Sequence, residues 1–449
     1  MQPAPAQKYR WIAACILLAS FSMVHAESPA GSLAKNPVPQ ILLIEPTGST
    51  PLDAQIRTSQ TRLKKSPLPG PEMERLGWLF VAKARVSSDP GFYTLAGLAA
   101  DSLEQRFDMP HSAWLLRGHV LHSRHRFAEA EKLGRQLVAA RGAPSDYALL
   151  GDALYDEGRI AEAAGAYQHM VDLKPSLDSY ARAANIRWIK GDLAGAIELQ
   201  TMAVRAGGRD DAGALAWCLV RLGQLVWQQG NAVEASTFVG RALELVPEFQ
   251  PALLLQGRLL LTSGHAVDAL VPLARAAAIL PLPEPRWVYA EALRAAGRET
   301  EAIEQERRLV KEGVAEDPRT VALFLATRGL DPATAVRLAG AELKTRSDVM
   351  THSANALALA ASGQLEAALV HGRAALSEGT VDARVLLHAG RTAALAHSSD
   401  ATDLLNRARR LSPLLLPSER SLLDESFKLL PKGSGSVGNS IETTPQKTS

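Results

Sequence analysis

Apolar residues between Asp146 and Pro175 recur at helical spacing in two runs. Tyr147, Leu150, Gly151 and Leu154 form the first; Ala163, Tyr167 and Met170 form the second. Gly158 separates them, and Pro175 follows. A period of three to four residues lines up one apolar stripe on a helix, glycine permits a sharp turn, and proline stops a helix. The segment therefore predicts two amphipathic helices joined by a tight turn. One such hairpin cannot cover both of its stripes, so it needs neighbours.

The neighbours are visible as repeats of a glycine and an alanine five residues apart. Gly158/Ala163, Gly191/Ala196, Gly230/Ala235, Gly264/Ala269, Gly297/Ala302 and Gly363/Ala368 are separated by 33, 39, 34, 33 and 66 residues, the last gap being two steps. The unit near Ala216 repeats the scheme with Leu219, Leu222, Gly223, Val226, Ala242 and Pro247. The unit near Gln250 does so with Leu253, Gly257, Leu260, Ala276 and Pro281. Self-similarity at this period predicts an all-α solenoid in which each unit buries its apolar face by stacking. Gly151 and Ala163 are expected where the paired helices approach most closely.

The unit closely resembles the tetratricopeptide repeat, and the resemblance covers about three quarters of the chain. It implies a right-handed superhelical solenoid of helix–turn–helix repeats, with the first helix of each hairpin lining the concave side. Degenerate units fill the remaining stretches. His111 to Gly142 carries Trp114, Gly118, Leu121 and Ala130; the double-length gap holds Gly329 and Ala335; a last unit contains Leu386, Gly390 and Ala408. Roughly eight or nine units result, well above the ~3 that a stable array requires.

Outside the array the composition changes. Residues 1–26 read as a signal peptide, with Lys8 and Arg10 before the apolar run Trp11–Val24 and a small-residue cleavage site ending at Ala26. The run is short of the ~20 apolar residues of a spanning helix. An anchor left uncleaved is the alternative. Most of the apolar run follows Cys15 instead of preceding it, which argues against lipidation. Residues 27–70 form a Pro/Ser/Thr-rich linker with one short helix, Leu52–Lys65. Residues 71–110 are expected as a helical pair capping the array, 111–430 as the solenoid, and 431–449 as a disordered tail. A small insertion loop is expected at Gly207–Asp211.

Charge and cysteine content narrow the chemistry. A formal net charge of +2 argues against a nucleic-acid binder of the electrostatic type. Arg117, Arg124 and Arg126 read as a solvated basic face. Cys218, once the signal segment is gone, has no partner for an intramolecular disulfide and reads as a small buried residue. Gly-rich phosphate loops, G-x-S-x-G and H-E-x-x-H are all missing, so the chain reads as no enzyme, and no cofactor is assigned.

The family resemblance places specific residues on the concave side. In order along the array these are His119 and His122; Asp152, Tyr155 and Asp156; Asn185 and Trp188; Gln224, Trp227 and Gln228; Arg258; Trp287, Glu291 and Arg294; and Arg391. Tyr155, Trp188 and Trp227 share one register position in three successive units. Such an aromatic ladder suits a peptide or sugar groove, because Trp, Tyr and Arg dominate binding hot spots. Packing against the next helix is the competing role for each ring. His119 and His122 share a helix face near Asp152 and Asp156, yet no zinc spacing is present and no metal is assigned. The lysine, asparagine and arginine set with which some members of the family grip a carboxyl terminus is matched only by Asn185.

The resulting expectation is an exported, periplasmic or secreted scaffold without catalytic residues, binding a partner protein or peptide in the concave groove. The alternative is a polysaccharide-binding or polysaccharide-export accessory protein of the cell envelope. No nucleic-acid partner and no membrane span after signal removal are expected.

Overall fold

Each turn glycine of the repeat ends one helix and redirects the chain into the next. In the computed structural model, which describes residues 38–87, 89–208 and 211–431, Gly158, Gly191, Gly230, Gly264, Gly297 and Gly363 all have φ between 76° and 103°. The following amide closes the helix end: Arg159 N–H donates to the Leu154 carbonyl, and Asp192 N–H to that of Arg187, in the pattern of a left-handed C-cap. His125 and His397 take this conformation where the repeat lacks its glycine. The expected signal segment, the expected tail from residue 432, and Arg209 and Asp210 lie outside the described residues.

Twenty-two α-helices result, with no strand among the described residues. They are α1 (Pro51–Lys65), α2 (Pro69–Ser87), α3 (Gly91–Arg106), α4 (Pro110–Ser123), α5 (Phe127–Ala140), α6 (Pro144–Asp156), α7 (Ile160–Leu173) and α8 (Leu177–Ile189). Then follow α9 (Leu193–Ala206), α10 (Ala212–Gln228), α11 (Ala232–Leu245), α12 (Gln250–Thr262), α13 (Ala266–Ile279), α14 (Pro283–Ala295) and α15 (Glu299–Glu316). The last are α16 (Pro318–Arg328), α17 (Pro332–Glu342), α18 (Val349–Ala361), α19 (Leu365–Leu376), α20 (Ala383–Leu395), α21 (Ala401–Arg410) and α22 (Pro417–Lys428). Consecutive helices pack as hairpins, α2 on α3 through α20 on α21, and each hairpin stacks on the next. The all-α solenoid expected from the periodicity is the observed architecture.

Local chemistry explains where helices start and how closely they pair. Ser176, Asp192, Asp211, Asn231, Asp317 and Asp348 cap helix starts by accepting a backbone N–H with the side chain. Proline occupies the first helical turn of α4, α6, α14 and α16, where no amide is needed. At Gly151 a methyl group would stand 2.5 Å from the Tyr167 ring, so only glycine lets α6 and α7 approach this far.

The array closes on itself. Ser347 N–H donates to the Asp156 carbonyl (3.1 Å), the Thr380 hydroxyl to that of Ile189 (2.5 Å), and the Gln228 amide to that of Val381 (2.8 Å). Arg258 donates to the Leu414 carbonyl at 3.1 Å. These partners are separated by 153 to 191 residues, roughly five or six repeats. The loops preceding α18, α20 and α22 thus lie against the inner helices of the middle units. One apolar core, including Trp287, Phe324, Leu357, Leu386, Leu416 and Leu423, joins the later units to α22.

Candidate functional site

The inner face divides into a sealed part and an open part. In the sealed part, Trp227 is 8% exposed, Trp287 1% and Glu291 2%. The Arg384 guanidinium lies 5.3 Å over the Trp287 ring and pairs with Glu284 and Glu419. Arg258 lies 6.0 Å over Trp227 and pairs with Glu284 at 3.0 Å. Glu291 accepts from Trp287 Nε1 (3.1 Å) and from the Ser418 amide (3.2 Å). Burial alone would raise the Glu284 carboxyl, but Arg384 and Arg258 hold it below its ordinary value. Trp227, Trp287 and Glu291 therefore face inward but do not line an open groove: the protein's own C-terminal units cover them. Arg391 faces α22, 3.3 Å from the Ser426 hydroxyl, and Arg294 pairs with Glu299 and Glu306.

The open part is a cavity of about 450 Å³. α4, α6, α8 and α10 supply one side with His122, Asp152, Tyr155, Asp156, Asn185, Trp188 and Arg221. Arg319 of α16, Arg346 and Asp348 of the loop before α18, and Val349 and Met350 of α18 supply the other. Polar contacts fix the near side. Asn185 Nδ2 donates to the Tyr155 hydroxyl (3.0 Å), and Trp188 Nε1 donates to Gln228 Oε1 (2.8 Å). Arg221 donates to Asn185 Oδ1 and Gln224 Oε1 and lies 5.2 Å over the Trp188 ring.

Ion pairs order the carboxylates. Asp152 receives a two-pronged Arg182 at 2.8 Å and the Tyr167 hydroxyl at 2.7 Å. Asp156 faces His122 Nε2 at 2.9 Å and Arg346 at 3.0 Å. Burial opposes ionisation of both, yet Arg182 and Tyr167 at Asp152, and His122 and Arg346 at Asp156, hold both carboxyls below their ordinary value. His119 stands apart. Its ring meets Trp78 edge-on at 4.9 Å, and burial, aided by the Arg85 charge, pushes its pKa down to about 3. His119 and His122 thus point to different neighbours, and no cluster of three metal-ligating side chains occurs among the described residues.

The ladder of Tyr155, Trp188 and Trp227 is accordingly divided, with Tyr155 and Trp188 partly exposed at the cavity and Trp227 covered. Sequence reasoning missed Arg182, Arg221, Arg319, Arg346 and Asp348. Arg319 and Arg346 reach the cavity only through closure of the array, which no local spacing signals. Cys218 is buried, and burial raises its thiol pKa to about 12.

Stacked helical hairpins closing around an inner face define an α-solenoid of the kind that presents a preformed interaction surface. Residues 148–211 match the family model of the tetratricopeptide repeat. Helical hairpins of the same kind repeat on both sides of that match. The chain is similar to a solved structure of a human IFIT1 dimer with PPP-AAAA, at 14% identity over 80% of this chain and 89% of that one, with a TM-score of 0.47. It is also similar to the TPR domain of P58(IPK), at 13% identity over 71% of this chain and 98% of that one, with a TM-score of 0.23. No curated protein matches the sequence.

Proposed function

We propose that the protein is an exported, non-enzymatic scaffold of the cell envelope that holds a partner protein or peptide at the open part of its inner face. The observation that carries the site is the cavity of about 450 Å³ at Tyr155, Asp156, Asn185 and Trp188, where aromatic rings and charged groups of the middle units face the returning units across a space left open between them. A preformed surface of this kind binds with little loss of conformational entropy. Export rests on the N-terminal pattern of residues 1–26. No helix among the described residues is long and apolar enough to cross a membrane.

The polysaccharide reading is less well supported, because a sugar would stack on an open aromatic face and Arg221 already lies over the Trp188 ring. The test is an in-cell crosslink from the envelope fraction, with captured partners identified by mass spectrometry. One dominant protein, lost with Trp188→Ala and retained with Arg294→Ala, is the expected result. Glycan retained in place of protein would transfer the site to the polysaccharide reading, and a protein absent from the envelope fraction would end the export proposal.

A further inference from the structure

Outside the lining of the cavity, two imidazoles meet nitrogen to nitrogen. His352 of α18 and His371 of α19 are both partly exposed, and their Nδ1 atoms stand 2.9 Å apart. The ring centres are 5.2 Å apart, so the two nitrogens lie between them and face each other. At most one proton fits between such nitrogens, and the other nitrogen presents a lone pair. His352 has a second contact, its Nε2 lying 3.1 Å from the Ser347 hydroxyl. Ser347 is where the returning units meet the middle ones. Its N–H donates to the Asp156 carbonyl at 3.1 Å, and the adjacent Arg346 pairs with the Asp156 carboxylate at 3.0 Å.

The spacing is that of two ligands on one metal ion. Metal–imidazole bonds of ~2.0–2.1 Å place two ligand nitrogens about 2.9 Å apart at a right angle and about 3.3 Å apart at a tetrahedral one. Small turns of the two rings, about terminal torsions with broad minima, aim both lone pairs at one ion. A ligating histidine characteristically donates its other N–H to an oxygen that fixes its tautomer. Ser347 Oγ occupies that place at His352. No third His, Cys, Asp or Glu side chain joins the pair among the described residues, so water completes the coordination.

We propose that His352 and His371 bind one divalent transition-metal ion of the zinc, copper or nickel class through their Nδ1 atoms. Neutral imidazoles without a carboxylate favour these ions over magnesium and calcium, which take oxygen ligands. On binding, the proton held between the rings moves to an outer Nε2, and His352 Nε2–H donates to Ser347 Oγ. The ion thereby steadies the loop before α18 against Asp156. None of this depends on what the cavity holds.

The test is a titration of the full, tag-free chain with zinc chloride and with copper(II). Binding is read by calorimetry, the copper ligands by electron paramagnetic resonance, and the loop by hydrogen exchange of residues 346–348. Micromolar binding of zinc, two nitrogen ligands in the copper spectrum, slower exchange of the loop and no binding of magnesium are expected. His371→Gln, checked for native circular dichroism, is expected to weaken zinc at least about tenfold. Ser347→Ala is expected to weaken it about tenfold while both nitrogen ligands remain. Zinc that fails to bind below millimolar concentration, full affinity in both His352→Gln and His371→Gln, or magnesium bound as tightly as zinc overturns the site. Zinc bound by the histidine pair with unchanged exchange at residues 346–348 overturns its link to the loop.

Discussion

The sealed and open parts of the inner face are built from equivalent helices of the same repeat, yet they have opposite fates. At α14, Trp287 and Glu291 are capped by Arg384 and the start of α22, and the aromatic ring becomes core. At α8, Trp188 occupies a comparable inward place but stays partly exposed at the cavity, which it shares with Val349 and Met350 of the returning units. The difference teaches that an inward aromatic in a solenoid is a binding residue or a core residue according to what returns over it. The turn glycines carry the same lesson. Gly158 and Gly191 are pressed by the returning loops, while Gly264 and Gly297 face open space.

The largest effect should come from breaking the sealed part. Arg384→Ala leaves Glu284 and Glu419 without their shared cation, and losing one partner of a buried ion pair costs about 3–5 kcal/mol. Chemical denaturation should show this loss, with the C-terminal units opening first by hydrogen exchange. Retention of full stability would mean that the C-terminal units do not seal the face as described.

Turn glycines sharpen the comparison next. Alanine at Gly297 should cost only the strain of its left-handed conformation, about 1 kcal/mol. At Gly158 and Gly191 the added methyl would stand 2.2 Å from the Ser347 carbonyl oxygen and 2.4 Å from that of Gly379. Overpacking adds about 1–3 kcal/mol there. Equal melting points for Gly191→Ala and Gly297→Ala would contradict the closure.

A pH dependence with contributions from both regions tests the comparison without any change of sequence. His119 near the open part and His388 in the closing units are pushed down to about 3, chiefly by burial. The unfolded chain takes up these protons near the ordinary value of 6.5 and the folded chain only near 3, so stability falls as pH drops through that window. Melting temperatures measured from pH 7 to pH 4 should decline, and His388→Gln should lessen the slope. A flat profile would show that these imidazoles titrate normally in the fold.

The repeat, its helix–turn–helix hairpins and the all-α solenoid were legible in the sequence because each depends on residues close together. Gly158 must turn the chain, Gly151 must let Tyr167 approach, and the apolar period must face a neighbour, whatever lies elsewhere. The inward register of Tyr155, Trp188, Trp227 and Trp287 was equally local. Their division into cavity and core was decided by the tertiary structure alone. It depends on the superhelix returning after roughly three to six repeats to bring Arg384 to Glu284, Ser347 to Asp156 and Arg346 into the cavity. Small rotations between successive hairpins accumulate into that return. No single unit encodes the sum, so no motif in the chain announces where it closes.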